Sequence, residues 1–416
     1  MPTKIPRYKR ERKIDIKPAE FELHPAQQSF SRGVLPQGWE QITHPEGQPY
    51  FYHKEKRIIT ENWIWDAGQM RVLNSFIEQI EDFARSRNLY QPDDTHLILE
   101  CTLDDEKWWC GYYYTSASTR SLFWLEKHDI PRFLDEIRGE MHPTRFELYL
   151  EYEYWYHLDL FPNVTNATSE MFDLVANTIA DARTDVLTRK QTTVNHSMED
   201  LKEMADIVEC ASKRKNRASS WCLGRFMKLF VWDQFLNFHV QYEARLSYSQ
   251  SMYSGYQRHP RTWFIKVLSP LLFFSANVQV VALEELWVDG LLLKTRCAEF
   301  FAKINTEWGE YIVHASILLN ANVAFLAIPS NDPSNNTSPI QPLRYPAQIA
   351  SYVSVVTSFA SMMIGLLLVR QHKRQVRATV TVGEFHTYLR ERQHPVRGFE
   401  QLACIYSLPY ALLAWA

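Results

Sequence analysis

Glu153 and His157 stand four residues apart, as do His239 and Glu243. On a helix each pair shares one face, so a carboxylate could orient or charge the imidazole beside it. Neither pair has the Glu-x-x-His spacing that, in duplicate, builds a di-iron centre in a helical bundle. The plain reading of each is a satisfied His–carboxylate contact. The chain has no G-x-G-x-x-G, P-loop, H-E-x-x-H or G-x-S-x-G pattern. Its six cysteines, at 101, 110, 210, 222, 297 and 404, form no C-x-x-C pair and no Cys/His zinc spacing. No catalytic residue, metal or cofactor is expected, and the reading leans away from an enzyme. The remaining residues with polar chemistry in unusual surroundings are His314, Asn320 and Asn322, which lie in an apolar stretch. Unpaired amides are costly there, so these side chains either line a polar path or hydrogen-bond between helices.

Those three residues depend on the elements that carry them. Tyr311 to Pro329 and Ile349 to Val369 contain no Asp, Glu, Lys or Arg, and about 20 such residues span a bilayer as a helix. Phe399 to Ala416 is a third candidate, weakened by Pro409. Ala350, Ser354, Ser358, Ser361 and Gly365 put small groups on one helix face, a packing seam. Arg370, Lys373, Arg374, Arg377, Arg390, Arg392 and Arg397 follow the second span, whereas Pro329 to Gln348 holds only Arg344. The positive-inside rule therefore puts 370–398 and the large N-terminal region in the cytosol, and 330–348 with sequons Asn335 and Asn336 outside. No signal peptide precedes them. Val267 to Leu283 is apolar but followed by Glu284, Glu285 and Asp289, and reads as buried or interfacial.

The chain has 416 residues, 46% of them hydrophobic and 22% charged, which excludes a wholly disordered protein. Its 45 Lys+Arg against 48 Asp+Glu leave a formal charge of -3, without the basic footprint of a nucleic-acid binder. Residues 1–34 read as a flexible basic arm. Helical spacing appears at 69–87, 170–187, 198–212 and 221–253, and strand-like runs at 97–99, 108–114 and 122–124.

Between arm and helices lies a compound motif: Leu35-Pro36-x-Gly38-Trp39-Glu40, then Gly47-x-x-Tyr50-Phe51. It resembles the first two-thirds of a WW domain, which implies a three-stranded sheet over residues 35–66. In such a sheet Pro36, Trp39 and Phe51 form the structural buckle, while Tyr50 faces the other way because strand neighbours alternate. The resemblance implies that this second face, with Tyr50 and His53, takes proline-rich segments. Family spacing puts Glu61 where the second Trp belongs, so a structural relic and a working reader are both open. Tyr113 through Trp124 repeats the Tyr-to-Trp register. It reads either as a second degenerate WW-like hairpin, with Tyr113 and Trp124 on one ligand face, or as an ordinary aromatic hairpin.

As a whole the chain resembles uncharacterised fungal WW-domain-containing membrane proteins, through Cys110-Gly111-Tyr112-Tyr113, Leu122-Phe123-Trp124-Leu125, Leu319 to Ile328 and Tyr406 to Tyr410. The expected fold is mainly α with small antiparallel β modules: a WW-like sheet at 35–66, a helix and aromatic hairpins at 67–130, a helical cytosolic region at 131–310, and transmembrane helices at 311–329, 349–369 and 399–416. The expected function is a multi-pass, membrane-anchored scaffold or adaptor whose partners are the membrane and proline-rich protein segments. The alternative is a small transporter or membrane-embedded enzyme using His314, Asn320 and Asn322.

Overall fold

The computed structural model describes residues 1–8, 24–28, 34–88, 92, 94–128, 142–214, 219–253, 260–327, 346–373 and 382–416. Most of the loop expected outside at 330–348, with Asn335 and Asn336, most of the basic arm, and Arg374 and Arg377 lie outside the described residues. The chain is mostly helical, 59%, with a six-stranded sheet near its N-terminus. It divides into two compact units, Met1–Arg189 with Met198–Ala244, and Lys190–Ser197 with Arg245–Ala416.

In the first unit the strands lie in sequence order: β1 (Trp39–Thr43), β2 (Pro49–His53), β3 (Ile58–Thr60), β4 (Thr95–Asp104), β5 (Lys107–Ser116) and β6 (Ser121–Phe123). Neighbours are antiparallel except β3 and β4, which run parallel in the register Ile58↔Leu97 to Thr60↔Leu99. The sequence led us to expect separate small antiparallel modules; one mixed sheet is found instead. The reason is helix α1 (Ala67–Ser86), because a crossover connection brings the next strand back parallel to the last. Asp66 caps α1 by accepting from Gly68 N at 2.8 Å and Gln69 N at 2.9 Å. Leu73 and Ile77 of α1 pack on Trp39, Phe51, Ile58, Leu97, Leu99 and Tyr114, all on one sheet face.

Alternation sends Tyr50, Ile59, Ile98 and Tyr113 to the other face, where all four are buried. Helix α2 (Pro143–Leu160) covers that face, touching Tyr113 with His157 and Tyr50 with Phe161, the residue after its end. Helices α3 (Ser169–Thr188), α4 (Met198–Arg214) and α5 (Ser219–Leu236) complete the unit. Helix α5 meets α2 at Gly224, where an added Cβ would stand 2.8 Å from Asp159 N and 3.0 Å from Leu158 C. Backbone cannot yield as a side-chain tip can. Gly224→Ala is therefore expected to destabilise this unit by about 1–3 kcal/mol, the usual cost of overpacking, read from the urea midpoint of the full chain in detergent. An unchanged midpoint would show that the two helices part freely. The helix expected over 221–253 stops at Leu236, because Phe238 and Val240 adopt φ of 55° and 65°. His239 and Glu243 therefore share no helix face.

The second unit contains α6 (Trp263–Leu271), α7 (Ser275–Leu286), α8 (Lys294–Ala327), α9 (Pro346–His372), α10 (Val382–Arg392) and α11 (Glu400–Ala414). Its core joins Val280, Leu283, Phe301, Ile304, Trp308, Phe385, Leu389 and Leu402. Helices α8 and α9 run antiparallel: Asn322 Nδ2 donates to Ser354 Oγ at 2.7 Å, and Trp308 lies 5.1 Å from the His372 ring. Two stretches within them, in Lys294–Ala327 and Gln348–His372, are long and apolar enough to cross a membrane. The third expected span, 399–416, forms helix α11 (Glu400–Ala414). Its residues Leu402, Ala403, Tyr406 and Ala411 are buried in the unit's core.

Candidate functional site

Trp39 and Phe51 face α1, with Trp63 edge-on to Phe51 at 5.9 Å, and Trp39 N donates to Pro36 O at 3.1 Å. His53 belongs to this side. It pairs directly with Trp39 across β1 and β2 and meets its ring edge-on at 5.2 Å. Expected beside Tyr50, it lies three residues away and therefore on the opposite face.

The proposed ligand face is closed. Tyr50 is fully buried, edge-on to Phe161 at 5.2 Å, and its hydroxyl accepts from Asn163 N at 3.2 Å. Tyr113 is buried too, with its hydroxyl 3.2 Å from His157 Nδ1. Strands β5 and β6 form the antiparallel pair expected across 108–125. Trp124 follows it, donating from Nε1 to Tyr112 O at 3.0 Å and stacking on His128 at 4.4 Å. The structure thus does not assemble Tyr50, His53, Tyr113 and Trp124 into one open groove. A groove for a polyproline helix needs exposed aromatic walls, and this six-stranded sheet needs a helix to bury its second apolar face.

Between that face and α2 lies a polar layer. Glu61, at the position of the missing Trp, is buried and accepts from Arg7 Nε at 2.6 Å, with Arg7 Nη2 2.5 Å away. Arg7 Nη2 also donates to Leu160 O at 2.8 Å, and the guanidinium lies 5.3 Å from the Phe161 ring centre. Glu153 accepts from Thr3 N at 3.1 Å, Thr3 Oγ1 at 2.6 Å and Tyr149 OH at 2.9 Å. Residues 1–8 are thus fastened to the unit, contrary to the free arm expected of them, because two buried carboxylates draw their donors from this segment. Glu153 and His157 do share a face of α2, yet each takes other partners.

Burial sets the protonation of this layer. It holds the Tyr113 hydroxyl well above its ordinary value, helped by the charges of Glu153 and Glu61. It raises the Glu153 carboxyl and drives His157 well below the usual imidazole value, with His96 and Arg7 adding repulsion. Burial likewise lowers His44, and lowers His96 to about 4. Such a layer stores uncharged imidazole and phenol, which suits structure. None of those residues form a cluster able to hold a metal ion.

In the second unit, His314 and Asn320 are exposed on α8, and Asn322 spends its amide on Ser354 and Leu318 O. Asn320 and Asn322 are two residues apart and project roughly 200° apart around the helix axis, so no polar path forms from the three. A group that sequence reasoning missed does converge. His372 Nε2 lies 2.5 Å from Tyr388 OH and 2.7 Å from Tyr406 OH, and the two hydroxyls are 2.8 Å apart. His372 Nδ1 donates to Leu368 O at 2.9 Å, which leaves Nε2 as an acceptor. One phenol donates to that nitrogen and the second to the first, so the cluster ties α9, α10 and α11 together. It forms one wall of a cleft shared with Gln371, Glu391, Arg392, His394 and Gln401. Its members are 16 and 34 residues from His372 and carry no local spacing signal.

No known protein family, curated protein or solved structure matches the chain. Its reading rests on its own geometry.

Proposed function

We propose that the protein is a membrane-anchored interaction protein, with helices α8 and α9 as a hairpin anchor and the sheet-bearing unit as its interaction region. One observation carries this reading: the apolar surface of α8 and α9 faces outward. Only 6% of the apolar window of α8 and 28% of that of α9 is buried, whereas a core helix of a soluble protein is mostly covered. Val313, Ile317, Val323 and Phe325 on α8, and Val353, Val356, Phe359 and Leu367 on α9, are exposed. An apolar patch of this extent marks a lipid or protein contact. The charge pattern agrees. The last charge of α8 before its apolar run is Glu310 and the first after that of α9 is Arg370. These fall at one level of the antiparallel pair, since an added Cβ on Gly365 would stand 2.8 Å from Ile312 Cγ1.

Orientation follows the positive-inside rule, with the Glu310/Arg370 end and both termini cytosolic and the 330–345 loop outside. Proline-rich segments stay the proposed partner class, from the WW-like pattern at 35–66. With Tyr50 and Tyr113 under α2, such a segment would meet exposed aromatic surface such as Trp109, which pairs with Thr102 near the β4–β5 turn. The test is carbonate extraction and protease protection on sealed vesicles carrying tags at the N-terminus and in the 330–345 loop. The chain is expected to stay in the membrane fraction, with the N-terminal tag digested and the loop tag protected. Release by carbonate would sink the anchor.

A further inference from the structure

The second unit carries another apolar surface, apart from the faces of α8 and α9. Residues 263–283 contain one charge, Lys266. Trp263, Val267 and Leu271 recur every four residues on the outer side of α6, and all are exposed. The turn into α7 continues the patch with Phe273 and Phe274 (62% exposed) and, one helical turn on, Val278 (68%). Trp415, 54% exposed, joins them from the end of α11, lying 5.3 Å from the Phe273 ring and donating from Nε1 to Leu271 O at 3.0 Å. Phe273 and Phe274 both sit at positive φ, 50° and 60°. Bulky side chains rarely adopt that region, and here it turns two aromatic rings outward at the corner.

Polarity is graded along the hairpin. At its base Arg261 pairs with Glu284 at 2.7 Å, and Glu400 accepts from Thr262 N at 2.8 Å. The tip itself carries no charge, and two neighbouring charges, Lys303 and Glu307 of α8, line the cleft behind Phe273 and Phe274. The same gradient fixes its level against the anchor. Tyr410 of α11 lies 5.7 Å from Tyr311, the first residue beyond the Glu310 charge boundary, and Ser361 Oγ of α9 donates to Pro409 O at 2.7 Å. Trp415 is five residues further along α11, about 7 Å deeper on the apolar side. Leu271 and Phe273, in contact with it, share that depth.

We propose that the α6–α7 corner and the end of α11 form a wedge inserted part-way into the bilayer beside α8 and α9, with acyl chains as its occupant. This rests on the anchor reading and deepens it: the protein would enter one leaflet over a broad base beside the crossing helices α8 and α9. The wedge is too short to span. A depth of about 7 Å matches that of helices lying at the headgroup–acyl boundary. A soluble protein partner would not require the tip of the hairpin to lie just past the charge boundary of the neighbouring helices, on their apolar side.

The test uses the full chain in phosphatidylcholine vesicles, with an environment-sensitive fluorescent amino acid placed at Phe274, at Val356 in mid-α9, or at Leu187 as an exposed control in the first unit. Quenching by shallow-doxyl lipid, deep-doxyl lipid and aqueous iodide is compared. At Phe274 the shallow-doxyl lipid is expected to quench several-fold more than iodide, at Val356 the deep-doxyl lipid dominates, and at Leu187 only iodide acts. If Phe274 behaves like Leu187 while Val356 stays lipid-quenched, the wedge is wrong and the anchor stands. If iodide reaches Val356 as well, the anchor reading fails and takes the wedge with it.

Discussion

Arg7→Ala is expected to destabilise the sheet-bearing unit by about 3–5 kcal/mol, the usual cost of leaving a buried charge without its partner. Side chains of Arg7 and Glu61 are 3% and 0% exposed. The loss would also remove the donor to Leu160 O and the cation lying against Phe161. Against a total stability of about 5–15 kcal/mol for a typical domain, this is a large fraction. The measurement is urea unfolding of the full chain in detergent, followed by tryptophan fluorescence. A double substitution, Arg7→Met with Glu61→Leu, should recover most of the loss, because apolar groups of similar volume can replace a buried ion pair at little cost. A single variant within about 0.5 kcal/mol of the parent, the ordinary range for a surface change, would mean that residues 1–8 do not hold this position in solution.

Much of the architecture was legible because it rests on local patterns. Helix α1 follows from its 3.6-residue spacing and α3 and α4 from theirs. The strands at 39–60 follow from an aromatic alternation punctuated by Gly47 and its turn. The two long apolar helices, α8 and α9, follow from uninterrupted apolar length. What was not legible depends on distant partners. Nothing in the stretch 35–66 announces that α2, some 90 residues on, covers the Tyr50 face, or that Glu61 takes Arg7 from a segment that looks like a solvated arm. Helix α11 passes for a span by composition, yet Tyr406 and Ser407 are buried in a protein core. Apolarity alone does not say whether lipid or protein covers a residue. Cys101 and Cys110 illustrate the same limit: they form no recognised spacing, but the β4–β5 register sets their sulfurs 3.5 Å apart. His372, Tyr388 and Tyr406 likewise meet only once three helices pack.

Acidification from pH 6.5 to 5.5 is expected to destabilise the sheet-bearing unit, through histidines held neutral in the fold. His44 has both nitrogens committed: Nε2 donates to Asp159 O at 2.8 Å, and Nδ1 accepts from Glu46 N at 3.2 Å. A second proton on Nδ1 would face that N–H, although the Glu46 carboxylate 3.8 Å away offsets part of the cost. His157 is enclosed, with Nε2 unpartnered, and His96 charges only near pH 4. Folding lowers all three, so the sign is fixed. Above about pH 6.5 folded and unfolded chains are both neutral at these sites; below it the unfolded chain binds protons the fold refuses. Each contributes about 1.4 kcal/mol per pH unit until its folded value is reached. Glu153 works in the opposite sense, since burial raises its carboxyl and the fold gains a proton earlier than the unfolded chain does. It offsets at most one of the three, which leaves acid with a net destabilising effect. Urea midpoints at pH 7.5, 6.5 and 5.5 read this directly, falling over both intervals and more steeply over the second. The first fall arises because burial also lowers the Met1 amine to about 6 and gives it an acid loss from pH 7.5 down. His157→Gln should reduce the acid slope by about one proton's worth even if it lowers stability at every pH, because the slope and not the level reports titration. Midpoints unchanged from pH 7.5 to 5.5 would mean that these imidazoles reach water, and that the layer between sheet and α2 is open.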